Sequence, residues 1–141
     1  MATETEAFLA EVSERQRAAE RAIHRGDSEP RMALWSRQDP VTLFGAHLSA
    51  SGWEAVEPVF RQVASWFTDT VEYEFEVIAA GASGDLAYTV GYERNRVTVE
   101  GDPRTYTLRV THVYRREGGE WRIVHRHGDF PPGPNAPLFP R

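Results

Sequence analysis

The sequence predicts an α+β fold: a cone-shaped, curved antiparallel sheet packed on three N-terminal helices and enclosing a pocket. Three observations predict it. Apolar residues recur at helical spacing over 3–25 and 53–67 and at a spacing of two from about residue 70 onward. Gly-rich turns cut the second half into long strands of hairpin type. The 141 residues, 40% of them apolar and none of them Cys, suffice for one domain whose core needs no disulfide staple.

Residues 3–25 read as a helix, with Phe8, Val12, Ala19, Ala22 and Ile23 on one face and Gly26 as the stop. Ser28-Glu29-Pro30 restarts a short helix through Met32 and Trp35, because Ser28 can cap it and Pro is tolerated in a first turn. Asp39-Pro40 breaks the pattern. Val41–Phe44 is a short strand ending at Gly45, and 47–52 is a loop. A third helix runs from Trp53 to Phe67, where Trp53, Val56, Phe60, Val63 and Phe67 form one stripe.

Beyond residue 70 the period is two. Val71, Tyr73, Phe75 and Val77 alternate with Glu72, Glu74 and Glu76, giving one buried and one wet face. Turns at 81–85, 101–103 and 117–120 separate strands over 86–99, 105–116 and 121–130, which form a meander. Residues 131–141 are a Pro-rich tail laid over the surface. With neither repeats nor a boundary, 1–141 is a single domain.

Composition excludes several function classes. The lack of Cys removes thiol chemistry, and all 16 basic residues are Arg, so lysine Schiff bases and a phosphate-binding P-loop lysine are excluded as well. A net charge of -5 and a pI near 5.5 argue against nucleic acid as a partner. The longest uncharged run, 40–53, is too short to span a membrane, and the acidic N-terminus is unlike a signal peptide, so a cytoplasmic location is expected. Charge is unevenly spread: -2 over 1–40, -7 over 41–103 and +4 over 104–141. Complementary faces within one sheet or between two subunits fit that split.

The chemistry-capable residues concentrate in the last hairpin. A two-residue Gly118-Gly119 turn sets Glu117 opposite Glu120, Tyr114 opposite Ile123, His112 opposite His125 and Val110 opposite His127. One face then carries Tyr106, Leu108, Val110, His112, Tyr114, Trp121, Ile123, His125 and His127. The other carries Thr105, Thr107, Arg109, Thr111, Arg115, Arg122 and Arg126. Three histidines point at the pocket. His112 and His125 are the candidate general acid and base, since imidazole titrates near neutrality. His127, Trp35, Trp66, Tyr88, Tyr92, Val110 and Tyr114 are the candidate ligand-binding wall. The alternative is that the histidines are hydrogen-bonded lining residues without catalytic duty. His125-x-His127 with His112 has a spacing that suits a metal but lacks a convincing carboxylate, so neither metal nor cofactor is expected.

The order helix, helix, short strand, helix and four long strands resembles the nuclear-transport-factor-2-like superfamily, which includes ketosteroid isomerases, SnoaL-like polyketide cyclases and the association domain of calmodulin-dependent kinases. The stretch THVYRREGGEWRIVHRH, Thr111 to His127, is the most specific match. Trp35-Ser36 with Asp39, Gly52-Trp53 and Gly84-Asp85-Leu86-Ala87-Tyr88 extend the resemblance over roughly residues 5–130. It implies a cone with a small-molecule pocket, and it matches Asp39 to a structural Asp of the family. Where ketosteroid isomerases carry an Asp base after the first strand, this chain reads Leu43-Phe44-Gly45-Ala46-His47, so steroid isomerisation is not implied. The expected function is binding of a small apolar ligand in a His-lined pocket, with isomerase, cyclase or hydratase action on a small apolar carbonyl compound. The alternative is a non-catalytic ligand-sensing or oligomerisation module like a kinase association domain. A homodimer through the open face of the sheet is expected in either case.

Overall fold

The structure, a computed structural model, describes residues 2–133 apart from the side chains of residues 70 and 71. The tail expected over 131–141 thus lies outside the described residues beyond position 133, as does the inward side chain expected for Val71. The elements are α1 (Glu4–Ile23), α2 (Glu29–Leu34), β1 (Thr42–Phe44), β2 (Ser49–Ser51), α3 (Trp53–Trp66), β3 (Phe67–Ser83), β4 (Leu86–Val99), β5 (Asp102–Glu117) and β6 (Glu120–Asp129). The sheet order is β2-β1-β6-β5-β4-β3. The α+β cone is therefore as the sequence predicts, with two refinements. The 47–52 loop contains the short strand β2, and β1 runs parallel to β6 while the other pairs are antiparallel.

Helix α1 starts at a capping box, in which Thr3 Oγ1 accepts from the Glu6 N–H and Glu6 Oε1 accepts from the Thr3 N–H. Its inward stripe, Phe8, Val12, Ala19 and Ile23, packs on the concave face of the sheet, where Phe8 meets Tyr114 and Trp121 edge-on at 5.0 and 5.2 Å. Ser28 makes no side-chain cap, so α2 begins on Pro30's preset backbone instead. Helix α3 is capped from a distance: Asp39 Oδ1 accepts from the Trp53 N–H at 2.8 Å. That contact gives Asp39 its structural duty.

Curvature comes from the long strands. Register shifts interrupt β3 against β4 at three places, and each shift bends the strand. At Gly91 a Cβ would stand 2.1 Å from the Glu76 carbonyl oxygen, so the two backbones can close only on glycine. No described helix is long and apolar enough to cross a membrane.

Candidate functional site

The C-terminal half of α1, the inner side of α3, the 45–48 loop and the open ends of β4 and β5 surround a cavity of about 440 Å³. Its walls are apolar, including Leu43, Val59, Val63, Trp66, Phe67 and Leu108. Near the mouth, His47 packs against Trp66 and Phe130 at 6.3 and 5.7 Å, and Phe130 against Tyr106 at 6.2 Å. The floor is polar: Glu20, His24, Arg31, Glu93 and Arg126.

Two ion pairs build that floor. Arg126 donates to Glu93 through both terminal nitrogens, Nη2 to Oε1 at 2.8 Å and Nη1 to Oε2 at 2.9 Å. Arg31 Nη2 donates to both Glu20 oxygens, and Arg126 bridges the two pairs from 3.7 Å to Glu20. Tyr73 donates to Glu93 Oε2 at 2.7 Å and accepts from Gln16 Nε2 at 2.8 Å. Arg126 Nη1 also donates to His112 Nε2 at 3.1 Å, so the ring proton of neutral His112 sits on Nδ1. Buried charges persist only when paired and hydrogen-bonded, and here two carboxylates meet two guanidiniums.

The pKa values follow this geometry. Burial and the adjacent Arg126 push His112 down to about 3, so it stays neutral at physiological pH. Burial would raise Glu93, but Arg126 overrides it and holds the carboxyl at about 2. Burial and the Glu93 charge push the Tyr73 phenol well up. His24 is lowered chiefly by burial, against an upward pull from Glu20 and Glu93. His24 is only 4% exposed, its Nδ1 is buried without a partner, and its ring makes no side-chain hydrogen bond among the described residues. It rests edge-on against Phe67 at 4.7 Å. Arg31 Nε is likewise buried without a partner. Unsatisfied buried polar atoms are uncommon in native proteins, and here two of them belong to residues lining one cavity.

The predicted site residues scatter. The hairpin register holds from Glu117–Glu120 to Tyr114–Ile123, then shifts by one at Val124, so that Val113 faces His125 and His112 faces Arg126. This corrects the expectation that three histidines share one face. His125 and His127 lie on the outer face, where Phe44 packs edge-on against both rings at 5.5 and 5.9 Å. His125 Nδ1 and Thr42 Oγ1 share a 2.7 Å hydrogen bond, and His127 Nε2 stands 3.5 Å from Asp129. His112 does face inward, but it is sealed behind Arg126 and does not line the cavity. Arg126, expected outside, is inside.

Of the expected ligand wall only Trp66 lines the cavity. Trp35, Val110 and Tyr114 are buried in the core, and Tyr88 and Tyr92 stand on the outer face because β4 turns its odd-numbered residues inward. Two acidic residues of β3 pair with neighbours on β4, Glu76 with Arg94 and Glu72 with Arg96, while Arg109 pairs with Asp129 and Arg122 with Glu120. Among the described residues no group of His, Asp and Glu is placed to hold a metal ion.

Sequence reasoning missed Glu20, His24, Arg31, Glu93 and Arg126. One signal was available: Gln16 and Glu20 continue the Phe8–Val12 stripe at four-residue spacing, which is unusual for polar residues on a buried face. Nothing comparable marked Glu93, since both faces of β4 carry charged residues.

Comparison with known proteins agrees with the fold. A family model for the SnoaL-like domain matches residues 12–132. A nuclear-transport-factor-2-like superfamily protein from Salmonella enterica superposes with a TM-score of 0.74 at 16% identity, covering 94% of this chain and 97% of its own. A candidate calcium/calmodulin-dependent kinase type II association domain from Thiobacillus denitrificans gives 0.72 at 22%, covering 86% and 96%. A candidate dehydratase of the same superfamily from Streptomyces avermitilis gives 0.71 at 19%, covering 90% and 99%. No curated protein matches the chain at a significant level.

Proposed function

The chain belongs to the SnoaL-like domain family, and from that premise we propose that it binds a small apolar carbonyl compound in its cavity and moves a proton on it. One observation carries this reading: His24 is a buried, neutral imidazole without a hydrogen-bond partner, on the wall of a largely apolar cavity. A neutral imidazole with a free nitrogen is a proton acceptor. The Arg31 and Arg126 guanidiniums on the same floor lower the cost of the charge that the oxygen gains when a proton leaves the neighbouring carbon. Removal of the α-proton to give an enolate is the step that isomerisation, aldol-type cyclisation and water elimination share; the His24 imidazolium then gives that proton to the γ-carbon, to the new alkoxide oxygen or to the departing hydroxyl, respectively. The base is thus His24 rather than His112 or His125, neither of which lines the cavity.

The test uses 2-tetralone, a bicyclic ketone small enough for the cavity. In D₂O the protein should speed deuterium incorporation at its α-carbons, followed by NMR, and His24→Gln should abolish the acceleration while the ketone still quenches Trp66 fluorescence. Binding without any acceleration in the unaltered protein would favour the alternative of a ligand-sensing module without catalysis.

We also propose that a second copy covers the outer face. Ile78, Leu86, Tyr88 and Val90 form an exposed apolar ribbon across β3 and β4. Glu72, Glu74 and Glu76 flank it on β3, with Arg94, Arg96 and Arg109 on β4 and β5. Glu72 and Glu76 pair with Arg96 and Arg94 and Arg109 with Asp129, so the charged margin is neutralised within one copy and the apolar ribbon is what a two-fold contact buries.

A further inference from the structure

We infer that Arg104 is an anion anchor at the cavity mouth, so that the ligand is an amphipathic molecule with a neutral oxygen function at its deep end and a carboxylate-type group at the other. This rests on the cavity's binding a carbonyl compound and adds the chemistry of the ligand's outer end.

The floor leaves no place for a charged group. Glu20 and Glu93 are matched by Arg31 and Arg126, and His24 is kept from protonation by burial, so either sign of ligand charge there would meet a balanced cluster in a low dielectric. What the floor offers is the His24 ring, which makes no hydrogen bond among the described residues and suits a neutral carbonyl or hydroxyl function. The mouth differs. Arg104 lines the cavity, is exposed, and makes no ion pair or hydrogen bond among the described residues. Among the described residues, the carboxylates lining the cavity are the two already paired below.

Strand register sets the span. Glu93 lies opposite Leu108, and Arg104 is four residues further along β5, opposite Val97. At about 3.3 Å per residue the two levels are roughly 13 Å apart. A chain or fused ring system of about that length, passing the aromatic girdle of Trp66, Tyr106 and Phe130, joins the floor to Arg104.

The probe is 9-oxodecanoate, compared with its methyl ester by isothermal titration. The acid should bind about three- to tenfold more tightly than the ester, as a partly solvated charge-assisted hydrogen bond allows. That advantage should shrink with added salt, and Arg104→Gln should erase it while leaving the affinity of the ester unchanged. Arg104→Lys should restore part of it. An acid-to-ester ratio unchanged by Arg104→Gln would overturn the role of Arg104 alone. Failure of both compounds to bind the unaltered protein would overturn the cavity reading beneath it as well.

Discussion

Arg126 grips Glu93 by two parallel hydrogen bonds of 2.8 and 2.9 Å, although the alternation of β6 up to Ile123 would send Arg126 to the outer face. The one-residue shift at Val124 reconciles the two. Without it His125 would point inward and Glu93, 1% exposed, would lack its cation. An uncompensated buried carboxylate costs more than a local break in a strand ladder, so the strand bulges.

Removing one partner should therefore cost more than removing both. Arg126→Met should destabilise the fold by about 3–5 kcal/mol, because Glu93 would be left buried without its cation. The double variant Glu93→Gln/Arg126→Met should recover much of that loss, since Gln still accepts from Tyr73. Urea unfolding of the three proteins measures this, and equal midpoints for the single and double variants would contradict it.

Acid should weaken the fold in two overlapping stages. His112 is held at about 3 against an ordinary 6.5, so below pH 6.5 the unfolded chain takes up a proton that the native state refuses. That part of the stability is complete above 6.5 and disappears as pH falls toward 3. Glu93, at about 2 against an ordinary 4.5, adds a second loss between those values. Thermal melts from pH 7.5 to 4 should show a slope between 6.5 and 4.5 that His112→Gln reduces; His24 and His125, also lowered by burial, supply the remainder.

The outer ribbon predicts a dimer at micromolar concentration. Tyr88→Glu places a charge in a ribbon where Tyr88 is 44% and Ile78 60% exposed, and should yield a monomer with an unaltered fold. Sedimentation velocity distinguishes the species, and a monomeric unaltered protein would refute the interface.

Much of the architecture was legible along the chain. The period change near residue 70, the Gly118-Gly119 turn and the stripe from Trp53 to Phe67 are local features, set by backbone sterics and apolar spacing. They were enough for the α+β cone, the antiparallel meander and the inward placement of His112, Tyr114 and Ile123. The candidate site was far less legible, because a bulge carries no fixed residue signature and a single slip exchanges the two faces.

By itself, the sequence determined the order of the elements apart from β2, the family and the absence of lysine and thiol chemistry. Tertiary structure decided which ionisable groups share the cavity. Glu20 and Arg31 meet across two helices, Glu93 and Arg126 across strands separated by β5, and His24 reaches the same floor from the end of α1. Pairing of buried charge depends on distance and desolvation in three dimensions, and neither quantity is periodic along the chain.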